Sequence, residues 1–341
     1  MDTLHRSAIL CVLLALAFNS SHSTVENKYQ YFRAGNPADV RTKTVGGFAL
    51  MGGGDDLDSA FQWLCERSGG GDFLVLRARG DDAYNPYIRG LCRVNSVATL
   101  VIPSREAAAD PFVSATIRNA EAVFIAGGDQ ARYINWWMGT PVQEAINDSI
   151  MRGVPIGGTS AGLAVQGEFV YSAQGDAPDD KDLPSADTLA NPYNTRVTIA
   201  HQFLNNGLLK DVITDTHFAT RDRMGRSLVF MARILKDGLA ERIREIAVDE
   251  RTAVLLDREG TGKVVGPGTA YFMRATAHPE ICKNGVPLTF RGVEARALHA
   301  GQVFNVRQWS SAEGIAYTLS VETGVIQSSQ AGGAVYTETR K

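Results

Sequence analysis

Only four cysteines occur in 341 residues, no apolar run is as long as a bilayer is thick, and neither sign of charge dominates. So little cysteine excludes a small disulfide-built scaffold. Without paired Cys/His spacings or a His-Glu-x-x-His string, nothing resembles a zinc set, and neither a metal nor a cofactor is expected. Lys and Arg number 34 against 37 Asp and Glu, a net charge of −3, so the basic footprint of a nucleic-acid binder is missing. The first long apolar run, 8–18, falls well short of the ~20 residues a spanning helix needs, and no membrane span is expected.

What that run does fit is a secretory signal. His5 and Arg6 precede it and the small, polar stretch 19–23 follows, which places a signal peptide at 1–23 and the mature protein in a secreted or periplasmic setting. Cys11 would leave with the signal. Of the three remaining, Cys65 and Cys92 close the shortest loop, with Cys282 as the alternative partner of either. The string Asn147-Asp148-Ser149 matches a glycosylation sequon but falls in a helical pattern, which favours coincidence.

Beyond a polar leader, short apolar runs at 44–51, 73–76, 97–102, 122–126 and 154–156 read as buried strands. Helical patterns separate them. Leu57, Ala60, Phe61 and Leu64 recur at helical spacing behind Asp55 and Asp56, either of which can cap, and 141–152 opens on a proline suited to a first turn. This alternation predicts an α/β fold, a doubly wound and mostly parallel sheet with helices on both faces, whose ligands sit at the carboxyl ends of the strands. A loop rich in Gly, Pro and Asp is expected over 171–194, a helix over 223–236, and strands at 245–249, 253–257 and 270–273. The Gly-punctuated remainder predicts a β-rich C-terminal extension, 275–341, after a main domain of 24–274.

Gly158-Thr159-Ser160-Ala161-Gly162 is a Gly-x-Ser-x-Gly string placed after a strand and before a helical stretch, the context of a nucleophile elbow. Gly127-Gly128-Asp129-Gln130 follows the preceding strand in the same way. If the two strands are adjacent and parallel, Gly128 can supply one oxyanion donor and Ala161 another, with Gln130 within reach of substrate. A serine nucleophile needs a base. Among the histidines beyond the signal, His217 has the richest setting, Asp215-Thr216-His217-Phe218 followed by Arg221, Arg223 and Arg226. Clustered guanidinium groups can clamp a carboxylate, although such runs are more often a solvated face.

In this order, the glycine turn, the elbow, Asp215-x-His217-Phe218 and the arginine cluster resemble the cyanophycinase and dipeptidase E group of serine peptidases. The likeness runs from about 44 to 274, taking in Gly52-Gly53-Gly54 and Val248-Asp249-Glu250-Arg251-Thr252-Ala253. It implies a class I glutamine-amidotransferase-like fold, Ser160 as nucleophile, His217 as base and an acid from the segment between them. Asp187 is favoured for that acid over Asp176, Asp179, Asp180 and Asp182. The resemblance also implies a peptide or polymer substrate with aspartyl groups, such as the multi-arginyl-poly-aspartate that cyanophycinases cut to β-Asp-Arg, held by Gln130, Asp215, Arg221, Arg223 and Arg226; a homodimer is allowed for. Cyanophycinases typically carry Asp-Gln-His-Phe, and Thr216 stands here in place of that Gln.

Two other readings share these residues. An α/β-hydrolase esterase would use the same elbow with His278 or His299 near the C-terminus, but no His-Gly-Gly-Gly oxyanion string is present. A silent amidotransferase-like binding module would have no need of both Ser160 and His217.

Overall fold

The computed structural model describes residues 28–175 and 182–337. The expected signal peptide, Cys11 and the acid alternatives Asp176, Asp179 and Asp180 lie outside the described residues. Five of the apolar runs form a parallel sheet in the order Ser96–Val101, Asp72–Arg77, Ala122–Ile125, Ile156–Thr159, Gly47–Met51. Alternation along these strands sorts their side chains between two layers. Ala49, Met51, Phe73, Val75 and Phe124 meet the helices Asp58–Arg67 and Tyr84–Leu91 on one face. Phe48, Leu50, Leu74, Leu76 and Val123 meet Pro111–Asn119, Gln130–Trp137 and Pro141–Met151 on the other. Burial on both sides is what near-continuous apolar strands require.

Three helix starts around the first sheet follow side-chain chemistry. Asp110, Asp129 and Thr140 each accept a hydrogen bond from a first-turn amide, and Pro111 and Pro141 occupy the first turns behind two of them. The expected Asp55 or Asp56 cap does not form. The helix Asp58–Arg67 begins after Leu57 with no side-chain cap, and Asp56 turns to Tyr84 instead. Asn147 is likewise engaged, its amide bonded to Phe203 and Asn205, and Ser149 is buried. Cys65 and Cys92 form a disulfide and Cys282 is free and buried.

The strands expected at 245–249 and 270–273 and the β-rich C-terminal portion belong to a second sheet. Phe169–Tyr171, Val212–Asp215 and Arg244–Val248 run parallel, and Ala270–Ala275, Val286–Leu298, Ile315–Glu322 and Val325–Ser328 continue antiparallel. The β-rich C-terminal portion is therefore hydrogen-bonded into this sheet. It also reaches the first one, because Val303–Asn305 pairs with Thr261–Val265. The faces divide as before: Val212, Ile246, Val248 and Phe272 join the first core, while Ile213, Ala247, Tyr271 and Met273 pack against the helix Met224–Lys236. The expected loop 171–194 contains a short helix, Ser185–Ala190, pressed onto that long helix where Gly225 leaves room for Ser185 and Leu189.

Candidate active site

The carboxyl ends of Gly47–Met51 and Ile156–Thr159 in one sheet and of Val212–Asp215 and Arg244–Val248 in the other face a common point. After Met51 the chain turns through Gly52-Gly53-Gly54, and the carbonyls of this turn anchor three segments. Ser160 N donates to Met51 O (3.1 Å), His217 N to Gly52 O (2.8 Å) and Arg251 N to Gly53 O (2.7 Å). Gly53 has φ +97°, and a Cβ there would overlap the His217 ring. Only glycine lets the imidazole lie against this turn.

Ser160 occupies the sharp turn expected of an elbow, with φ 52° and ψ −119°, a backbone region that non-glycine residues rarely adopt. Behind it, Gly162 packs so tightly on Ile125 O that no side chain would fit. The Ser160 carbonyl accepts from Leu163 N and Ala164 N, so the amides of Ala161 and Gly162 precede the first helical bonds and remain available as donors. Val123 and Ile156 are register partners in adjacent parallel strands, which brings Gly127-Gly128 alongside Ser160. Gly128, at φ +150°, has an N–H that donates to nothing among the described residues.

His217 also lies at positive φ, 47°, and its ring joins two partners. Nε2 is 2.8 Å from Ser160 Oγ, and Nδ1 is 2.6 Å from Glu250 Oε1. The acid at the imidazole is therefore Glu250, a correction to the expected Asp187. Asp187 is exposed on the helix Ser185–Ala190, which its packing on Met224–Lys236 holds in place, and it makes no bond to His217. Glu250 was legible in principle. His217 follows the last residue of its strand by two positions, Glu250 does the same, and the two strands are parallel neighbours with Ala247 opposite Asp215. Burial lowers the His217 pKa below its usual 6.5, Arg221 and Arg223 push it the same way, and the bond to Glu250 opposes them. The ring is neutral at pH 7 and can accept a proton from Ser160.

The arginine cluster requires a second correction. Asp215, expected to meet substrate, is buried and accepts from Arg226 Nε (2.7 Å), Arg226 Nη2 (2.5 Å), Arg223 Nη1 (3.3 Å) and the Thr216 amide (2.7 Å). Burial alone would raise its pKa, but the two guanidinium groups hold it below the usual range. Arg226 is fully enclosed and Arg223 nearly so; only Arg221 is exposed, and it forms no ion pair among the described residues. Thr216 faces Arg223, accepting at its carbonyl and at its hydroxyl. Arg223 and Arg226 form one wall of a cavity of about 450 Å³ that Gly128, Gln130, Tyr171, Asp182 and Arg221 also line. Gln130 reaches across it towards Tyr171 O at 3.5 Å. Of the other histidines, His278 is exposed, and His299 contacts Thr269. No group of three or more potential metal-binding side chains occurs among the described residues.

Comparison with known proteins gives a family likeness and a likeness of fold. The family model for peptidase family S51 matches residues 90–259. A cyanophycinase of Nostoc sp. is 31% identical over 218 residues, covering 62% of this chain and 66% of that enzyme, just under two thirds of its length. A cyanophycinase of Synechococcus elongatus is 27% identical over 275 residues, covering 75% of this chain and 78% of the relative. Among solved structures, a peptidase from an acI-B1 actinobacterium superposes with a TM-score of 0.50 at 17% identity, covering 77% of this chain and 98% of that one, which is a likeness of fold.

Two outcomes follow from the imidazole's surroundings. The histidine works as a base only when unprotonated, so activity is lost as pH falls through its pKa; burial sets that acid limb of kcat/KM below pH 6.5. Glu250→Gln removes the partner that holds the pKa up. Its limb moves to still lower pH while kcat drops about 10³- to 10⁴-fold, in line with loss of the acid from other triads, and Asp187→Asn leaves both unchanged. Stopped assays from pH 4 to 8 on the three proteins measure this, and a limb moving upward in Glu250→Gln contradicts it.

Proposed function

We propose, for a chain that belongs to the cyanophycinase and dipeptidase E group of peptidases, that it is a serine-type peptidase cleaving β-aspartyl peptides through an acyl-enzyme on Ser160. One observation carries the reading: the relay of 2.8 and 2.6 Å from Ser160 through His217 to Glu250 opens beside a cavity whose wall is built from guanidinium groups.

The steps follow from the geometry. Ser160 Oγ attacks the scissile carbonyl as His217 Nε2 takes its proton, and the Glu250 carboxylate holds the Nδ1–H and offsets the charge that develops on the ring. The tetrahedral oxyanion meets the N–H groups of Gly128 and Ala161. Collapse breaks the C–N bond, His217 returns its proton to the leaving amine, and a water repeats the sequence to free the acid. The cavity receives the aspartyl moiety, and Arg221, the exposed member of the arginine cluster, is placed to meet a substrate carboxylate.

The names of the cyanophycinases that this chain resembles support a β-aspartyl polymer or its fragments as substrate. Thr216, buried and bonded to Arg223 behind the cavity wall, lacks the amide that the family's usual Gln would bring, which favours looser tolerance of the arginine branch. Export is part of the proposal. The apolar run at 8–18 supports it, as does the Cys65–Cys92 disulfide, since such bonds persist in oxidising compartments. No helix among the described residues is long and apolar enough to cross a membrane.

Mass spectrometry of digests of cyanophycin and of a β-aspartyl peptide panel tests the assignment. The wild type is expected to release β-aspartyl products, and Ser160→Ala to lose about 10⁴- to 10⁶-fold in kcat, leaving the residual rate due to binding and oxyanion contacts. Preference for neutral α-peptides, or near-normal turnover in Ser160→Ala, rejects it.

A further inference from the structure

The cavity behind the proposed nucleophile already contains a carboxylate. Asp182 Oδ1 accepts from Arg223 Nη2 (2.7 Å) and Arg226 Nη1 (2.9 Å), and Oδ2 accepts from Arg223 Nε (3.0 Å). This is the two-pronged fork by which a guanidinium holds a ligand carboxylate. Asp215 meets the same two arginines from the buried side, so each cation has one aspartate behind it and shares one in front. The two differ in access. The Asp215 side chain is 4% exposed, whereas that of Asp182 is 34% exposed and lines the cavity. Removing Asp215 would strand two buried charges. Removing Asp182 would only uncover them to whatever fills the cavity.

The segment after Asp182 is fixed. Ser185 Oγ donates to Asp222 O and accepts from Arg226 N, so the start of the helix Ser185–Ala190 is tied to the arginine helix itself. Asp182 is thus delivered to the guanidinium pair by a covalently tethered, anchored support, and Oδ1 also accepts from the Leu183 amide (3.2 Å).

The geometry points to Asp182 as a built-in competitor: its carboxylate occupies the anion subsite formed by Arg223 and Arg226 and must be displaced by the carboxylate of an incoming aspartyl substrate. This rests on the reading of the cavity as the aspartyl subsite. It makes Asp182 a specificity determinant, because a ligand able to offer its own carboxylate to the fork can replace it without leaving the arginines unpaired, and a neutral ligand cannot. Specificity through a cost laid on the wrong ligand is general.

Calorimetric titration of succinate, with succinamide as the neutral control, into wild type and Asp182→Asn tests this on protein carrying Ser160→Ala. Succinate is expected to bind the Asp182→Asn protein at least about tenfold more tightly, succinamide to be unaffected, and KM for aspartyl substrate in the Ser160 background to fall with kcat unchanged. Equal or weaker succinate binding by a folded Asp182→Asn protein overturns the inference and leaves the aspartyl reading intact. Binding of succinate to neither protein at millimolar concentration rejects both. Should Asp182→Asn fail to fold, a crystal structure of the Ser160→Ala protein soaked in succinate decides the matter: succinate on Arg223 with Asp182 displaced supports the inference, and succinate elsewhere with the Asp182–Arg223 fork intact overturns it.

Discussion

Everything in this site hangs from the backbone of Met51 to Gly53. Three consecutive carbonyls fix the amides of Ser160, His217 and Arg251, and so tie the elbow of one sheet to the ends of two strands in the other. The bonds run between backbone groups, which removes side-chain freedom from the problem; what remains is the local conformation of each attached residue. Ser160 and His217 both sit at positive φ, which an isolated chain would rarely choose. The surrounding cores hold them there, since Ala49, Leu50 and Met51 are buried on both sides of the strand that feeds the turn. Strain of this kind persists only where packing over-determines it.

Electrostatics then divides the site into two halves with different chemistry. Around His217, burial and two arginines favour the neutral ring while Glu250 favours the charged one, a balance suited to a group that must first accept and then return a proton. Around Asp215, burial is offset by guanidinium groups so that the carboxylate stays ionised and Arg226 stays charged despite complete enclosure. Lone charges at that depth would be prohibitive; as an alternating set of two arginines and two aspartates they are sustained. Glu245, next along and also enclosed, forms no ion pair among the described residues, and burial, with the Asp215 charge, raises its pKa well above the usual range; its bond to Ser227 Oγ links it to the same cluster.

Much of this was legible in the chain. Alternating strand and helix patterns gave the parallel sheet, and Ser160 was marked by glycines whose necessity is now visible, Gly162 against Ile125 above all. His217 was reached through its neighbours rather than by any property of its own. Glu250 was missed because chain order favoured an acid between Ser160 and His217, whereas the fold uses the parallel strand that follows. Strand adjacency is a tertiary fact that periodicity does not encode. The aspartates that pair with the arginines were missed for the same reason. Sequence displays three cations in six residues, but only the fold shows that Asp215 and Asp182 already complement two of them. Two strands of the second sheet, Phe169–Tyr171 and Ile199–His201, escaped notice because they are three residues each, too short to show alternation.

The central claim is that the glycine turn places His217 between Ser160 and Glu250 and thereby makes the serine nucleophilic. Gly53→Ala tests it most directly, because the added methyl overlaps the imidazole, whose three nearest ring atoms it would meet first. The measurement is the rate at which a fluorophosphonate labels Ser160, followed by intact mass, with circular dichroism recording the fold. A folded Gly53→Ala protein whose labelling falls at least about a hundredfold is expected, within the range of general-base assistance. Labelling at the wild-type rate would contradict the account.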